Sequence, residues 1–80
     1  MTKFKYRGSL EKWIFQNAAE VIDCVEGCLL DNYLVKAKNG FAMILETYAN
    51  SNSSINTIIF ERGNGAKIID MWDKFRSENE

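Results

Sequence analysis

The sequence predicts an α+β domain: an antiparallel three- to four-stranded β-meander flanked by an N-terminal and a C-terminal helix, in α-β-β-β-α order. Three observations support this class. Apolar residues recur at helical spacing near both ends of the chain, and alternating runs typical of strands fill the middle. Two of those runs flank Asn39-Gly40, a strong short-range signal for a hairpin. With 80 residues, the chain is expected to form one domain over residues 1–80.

Residues 1–8 alternate basic and aromatic side chains, with Lys3, Lys5 and Arg7 interleaved by Phe4 and Tyr6. A period of two indicates a basic arm or a short edge strand whose lysines discourage pairing with another chain. Ser9 is a candidate N-cap, and a single apolar stripe follows it. The stripe predicts a helix from about Leu10 to Glu20.

Residues 21–30 are ambiguous, because their apolar residues could extend the helix or open a strand. Their β-branched residues and Gly27 favour a strand-turn-strand from about Val21 to Leu30, with the turn at Glu26-Gly27. The next strand, ending near Ala37, would join its partner, Phe41–Tyr48, through a type I′ turn at Asn39-Gly40.

Five consecutive apolar residues, Phe41 to Leu45, follow that turn. A strand with one wet face should alternate, so both faces of this strand need cover. If one helix lies on each side, it is the central strand of a three-layer domain. If both helices lie on one side, the second face would bury against a twin or a target.

The polar run over residues 49–56 predicts a hairpin loop, followed by a strand from Ile55 to Arg62. After the flexible Gly63-Asn64-Gly65, an apolar stripe at helical spacing predicts the second helix. Residues 76–80 are expected to fray.

The composition restricts the function classes. The formal net charge is −1, which removes a blanket attraction to nucleic acid or anionic membrane. The N-terminal residues lack the apolar stretch of a secretory signal, and no apolar run is long enough to span a bilayer. We therefore expect a cytoplasmic protein without membrane partners.

Catalytic and metal-binding patterns are absent from the sequence. There is no histidine, so the commonest general base and transition-metal ligand are missing, and Cys24 and Cys28 alone cannot close a zinc site. The two cysteines are interpreted as reduced thiols, although a turn over residues 25–27 would allow a disulfide. Glu46 and Glu61 are the best candidates for a carboxylate pair, but we interpret each as a solvent-exposed residue near the end of a strand. No enzyme activity, cofactor or metal is predicted.

Protein binding is the leading hypothesis. Charge is segregated along the chain, and residues 11–31 carry five acids against one base. The acidic residues predicted to contact a partner are Glu20, Asp23, Glu26 and Asp31. They could imitate phosphates if the target is a nucleic-acid-binding protein. In size and predicted element order the chain resembles small phage-encoded inhibitors such as anti-CRISPR proteins. That resemblance implies a phage or mobile-element accessory protein that inhibits or modulates a host protein by steric or charge-based occlusion.

Two alternatives stay open. The first is a small nucleic-acid-binding regulator that uses five basic residues, Lys3, Lys5, Arg7, Lys36 and Lys38. They would share one surface if the N-terminal segment paired beside the strand that carries Lys36. The second is a homodimeric structural domain that buries strand residues against its twin.

Overall fold

The computed structural model describes residues 1–26, 31–50 and 53–79. Seven elements follow one another along the chain. They are β1 (Thr2–Tyr6), α1 (Leu10–Gln16), β2 (Glu20–Glu26), β3 (Asp31–Ala37), β4 (Gly40–Asn50), β5 (Ser53–Arg62) and α2 (Ala66–Asn79). The α+β class is therefore confirmed, while the element order is β-α-β-β-β-β-α instead of the predicted α-β-β-β-α.

The strands form one five-stranded antiparallel sheet in the order β1-β5-β4-β3-β2. Strands β2 to β5 are a meander, as predicted, since sequential strands joined by short connections usually pair. The N-terminal residues add the fifth strand: β1 pairs with β5, with Phe4 opposite Ile58. Strands β1 and β2 are consequently the two edges, and the basic segment lies at the edge remote from β2.

The two helices lie on opposite faces of the sheet, which we call the α1 face and the α2 face. Trp13 of α1 packs into a cluster with residues of alternating positions on three strands, namely Val35, Ala42, Ile44 and Ile58. On the other face, Ile68 and Trp72 of α2 pack on Leu34 and Met43. The domain thus has three layers, helix, sheet and helix, with a small core on each side of the sheet.

The apolar run after the β3–β4 turn is covered on both sides. Strand β4 is the middle strand, and Ala42 and Ile44 are fully buried under α1. Met43 is 4% exposed under α2, and Phe41 and Leu45 pack on the same cluster. The central-strand interpretation is the one that the structure bears out.

Helix α1 ends at Gln16, four residues before the predicted end, because the chain closes in a Schellman motif. Ala19 N donates to Ile14 O at 2.9 Å, and Ala18 N donates to Phe15 O at 3.3 Å. Ala18 has the left-handed conformation with φ 48° that this motif requires at its glycine position. The sequence carries alanine there, so the usual stop signal was missing. The start of the helix is as predicted, since Ser9 Oγ accepts from Lys12 N.

The β3–β4 turn is displaced by one residue from its predicted position. Ala37 pairs with Gly40, so Lys38 and Asn39 are the two loop residues. Neither has a positive φ, and neither does Gly40, which excludes the type I′ turn. Gly40 serves a close approach instead, because a Cβ there would lie 2.1 Å from the Glu61 carbonyl oxygen of β5.

Most of the predicted 49–56 loop belongs to the β4–β5 hairpin. Strand β4 continues to Asn50 and β5 begins at Ser53, so cross-strand pairing outweighs the local hydrogen bonding expected of Asn and Ser. Asn56, expected in the loop, is 2% exposed on β5. Its Nδ2 donates to Gly8 O at 2.8 Å, which ties the β1–α1 connection to the sheet.

Helix α2 is anchored at its start by residues outside it. Glu61 Oε1 accepts from Lys67 N at 3.0 Å, and Asn64 Oδ1 accepts from Ala66 N, so side chains satisfy amides of the first turn. At the other end α2 continues through residues 76–79, which were expected to fray, and Asn79 Nδ2 donates to Phe75 O. Within the described part of the chain, neither helix combines the length and apolarity that crossing a bilayer would take.

We predict that Ala18→Gly stabilises the domain by about 0.5–1 kcal/mol, because glycine adopts the left-handed conformation without the Cβ clash. The measurement is the urea midpoint, which should rise with an unchanged m-value. Ala66→Gly is the matched control: Ala66 is exposed at the first position of α2. It should leave stability unchanged or lower it. Equal losses in both variants would contradict the strain at Ala18.

Candidate functional site

Strand β2 forms one of the two edges of the sheet, and it carries acidic residues. In the described residues no strand pairs with this edge. Glu20 and Glu26 are exposed at its two ends, and Val21 and Ile22 are 43% and 49% exposed between them. We call residues 20–26 the β2 edge. It offers unpaired backbone groups beside apolar side chains and carboxylates.

A register shift interrupts the β2–β3 ladder between Val21 and Asp23. Val21 lies opposite Val35 on the α1 face, whereas Asp23 lies opposite Leu34 on the α2 face. Such bulges bend an edge strand and increase its twist. The bulge therefore places Ile22 at the bend, where its side chain is half exposed.

Asp23 is engaged with α2. Its Oδ2 accepts from the Trp72 indole Nε1 at 2.9 Å and forms an ion pair with Arg76, and its Oδ1 accepts from Cys24 N. The Trp72 hydrogen bond, followed by the Cys24 amide and the Arg76 charge, holds the pKa of Asp23 below its usual value, against the opposing effect of desolvation. The buried indole N–H thus has its partner, and β2 is tied to α2.

Glu26 and Asp31 face each other across β2 and β3 on the α1 face. The Tyr33 hydroxyl donates to Asp31 Oδ2 at 3.2 Å. Desolvation, the Asp31 charge and that hydrogen bond raise the pKa of Tyr33 to about 12, with smaller contributions from Cys24 and Glu46. Desolvation, then Asp31 and Glu26, raises the pKa of the Cys24 thiol, which disfavours the reactive thiolate.

The four acidic residues predicted to bind a partner therefore do not form one patch. Glu20 lies at the start of β2 opposite Lys36, and Asp23 bonds to α2. Glu26 and Asp31 are paired at the other end of β2, on the α1 face. The structure brings together two of the four, and it places three of them within the β2 edge.

The five basic residues are spread over the molecule. Lys3 and Lys5 lie opposite Ile59 and Thr57 on the α2 face of β1, and Arg7 follows that strand. Lys36 is three strands away, with its Nζ 6.0 Å from the centre of the Phe41 ring. Lys38 is in the β3–β4 turn. The pairing that would have united them, β1 beside β3, does not occur.

Among the described residues there is no group of three or more His, Cys, Asp or Glu side chains that could hold a metal. Glu46 and Glu61, the candidate carboxylate pair, lie on opposite faces of the sheet. Cys24 is exposed, while Cys28 and the predicted turn at Gly27 lie outside the described residues, so the disulfide alternative stays a prediction.

Sequence reasoning missed the apolar part of the β2 edge. Val21 and Ile22 were assigned to a strand, but their exposure follows from the edge position and the bulge. The edge position and the bulge depend on which strands pair, and no residue type in β2 predicts them.

Comparison with known proteins identifies no relative. No protein-family model, no curated protein and no solved structure matches the chain.

We predict that Asp23→Asn lowers stability at neutral pH and that this deficit shrinks in acid. Because the folded pKa of Asp23 is below its unfolded value, its contribution is present above about pH 4, the unfolded pKa. The contribution is lost as the pH falls through the lower, folded pKa. Thermal unfolding of both proteins between neutral pH and strong acid measures it. The control Asp73→Asn removes an exposed carboxylate of α2. A deficit for Asp23→Asn that persists unchanged in acid would refute the assignment.

Proposed function

We propose that this chain is a non-enzymatic protein-binding module that takes up a basic, extended segment of its partner along the β2 edge. One observation carries the proposal: the β2 edge, with which no strand of the described residues pairs, combines exposed Val21 and Ile22 with carboxylates at both ends. Edge strands of this kind recruit extended peptides as an additional strand.

The energetic roles divide between backbone and side chains. Backbone hydrogen bonds to an added strand supply affinity without regard to sequence, and contacts at alternate side chains supply selectivity. Glu20 and Glu26 would select Lys or Arg on the incoming strand, and their charges would steer its approach. Asp23 contributes less, since its carboxylate already holds Trp72 and Arg76.

The same charges disfavour a symmetric dimer through this edge. Two β2 strands paired around a two-fold axis would bring carboxylates of both copies close together, which is destabilising. The alternative dimer would bury the faces of strands against a second copy. It would gain little apolar burial from β4, because Ala42, Met43 and Ile44 are already buried within one chain. Light scattering at rising concentration tests for any self-association.

In this proposal the module acts by occlusion. A partner segment held on the β2 edge is withdrawn from its own binding site, and the acidic side chains compete with the phosphates of a nucleic acid. A host nucleic-acid-binding protein with a basic extended arm is the target class that fits. That this chain is a phage or mobile-element inhibitor of the anti-CRISPR type stays a prediction.

The test is affinity capture from a bacterial lysate with the wild type and with the charge reversal Glu20→Lys/Glu26→Lys. We expect a basic protein to be retained by the wild type and lost by the reversal, and its retention to fall as salt rises. Hydrogen exchange on the recovered complex should show new protection of amides in residues 20–26.

The matched control is Asp70→Lys/Asp73→Lys, which reverses two exposed acids on α2. It changes the net charge equally but leaves the β2 edge intact, so capture should persist. A partner retained equally by both double variants contradicts the assignment of this edge. So does a wild-type chain that retains no partner at low salt.

A further inference from the structure

A cavity of about 510 Å³ opens on the α1 face, near the edge opposite β2. It lies between the C-terminal end of α1, the β3–β4 turn and the strand pair β1–β5. Phe4 and Phe60 contribute the wall from the two strands, and Lys38 and Asn39 contribute the rim from the turn. A volume of this size is within the range of pockets that bind small molecules, about 300–1,000 Å³.

The cavity exists because small residues and an early helix end coincide there. Ala37 lines it from the sheet, where a larger side chain would fill the space. Ala18 lines it from the left-handed turn that stops α1 after seven residues. The hydrogen-bonded turn around Ala18 and the paired strands hold these walls in place, so the cavity is formed before any ligand arrives.

Three of the nine lining residues are aromatic. Trp13 is buried and Phe60 is partly buried, whereas Phe4, which also lines the cavity, is 37% exposed. An exposed phenylalanine on an edge strand leaves apolar surface in water, and a planar ring stacked on it would cover that surface. The apolar part of a ligand is therefore expected to be an aromatic ring.

The polar part of the lining favours an anion. Lys38 is the one charged residue among the nine that line the cavity, and none of the nine carries a carboxylate. The other polar groups are the side-chain amides of Gln16, Asn17 and Asn39. Two of these amides are held in place: Gln16 Oε1 accepts from the Tyr6 hydroxyl, and Asn17 Nδ2 donates to Trp13 O at 2.9 Å. These contacts leave the Gln16 amino group to donate to a ligand.

We propose that this cavity binds a small aromatic anion, a planar ring that carries a phosphate or a carboxylate. The ring stacks on Phe4, and the anionic group reaches the Lys38 ammonium at the rim. The site is independent of the β2 edge, since it lies toward the opposite edge of the sheet.

The test is an NMR titration of the full chain with four probes. Adenosine 5′-monophosphate and indole-3-acetate each combine a ring with an anion, whereas indole has the ring alone and inorganic phosphate the charge alone. We expect at least one combined probe to bind with a Kd below about 1 mM and to shift the amides of Ala18, Ala37 and Lys38. Preference between the two combined probes tells a nucleotide from an aromatic acid.

Four variants locate the site. Lys38→Gln should weaken binding about tenfold, as expected for one charge-assisted hydrogen bond, and Phe4→Ala should do likewise. Lys74→Gln removes an exposed charge from α2, and Phe15→Ala removes a side chain that is 87% exposed on α1. Both controls should bind as the wild type does.

Three results would overturn the proposal. The first is the absence of binding by either combined probe at millimolar concentration. The second is equal binding of indole or phosphate alone. The third is an equal effect of Lys38→Gln and Lys74→Gln. Because Lys38 and Lys74 are both exposed, neither substitution is expected to unfold the chain.

Discussion

Burial of both faces of β4 is the constraint on which the rest of the structure depends. Ala42, Met43 and Ile44 point alternately to the two faces, and each is nearly or completely buried. Fully burying a side chain of the size of Met or Ile contributes about 1.5–3 kcal/mol, and an 80-residue domain has few such residues. A helix is therefore needed on each face. This need divides the core into two small clusters and gives the domain its three layers.

The two helices cover their faces of the sheet to different extents. Helix α2 has 14 residues and its buried Trp72 is also bonded to Asp23, so it holds β2 as well as the middle of the sheet. Helix α1 has seven residues and covers only part of its face. The cavity beside Phe4 and the half-buried Tyr33 lie on that incompletely covered face. Surface available to ligands thus follows from the shortness of α1.

The sequence predicted features that depend on local periodicity, and it failed where tertiary pairing decides. The run from Phe41 to Leu45 indicated a doubly covered strand, and the Ser9 cap and the apolar stripe of α2 were recognised. The stop at Ala18 could not be seen, because alanine is a helix former and its left-handed conformation is imposed by the Schellman motif.

The role of Gly40 was also misassigned. A glycine beside a turn suggests positive φ, whereas here the approach of the β5 backbone requires it. The role of Asp23 required knowledge of a contact 49 positions away.

The direction of the edge strands bears on which partner, a different protein or a second copy, fits the proposed binding site at the β2 edge. All neighbouring strands are antiparallel and there are five, so β1 and β2 run in the same direction. A copy translated along the sheet would therefore place its basic β1 parallel to β2, in the less stable kind of ladder. Turning that copy over restores antiparallel pairing, but it places α1 of one copy on the same side of the sheet as α2 of the next. Both arrangements are open-ended, and the bulge at Val21/Asp23 further impairs a long regular ladder. A single extended basic segment from another protein avoids these penalties, because it can follow the bend and choose its own direction.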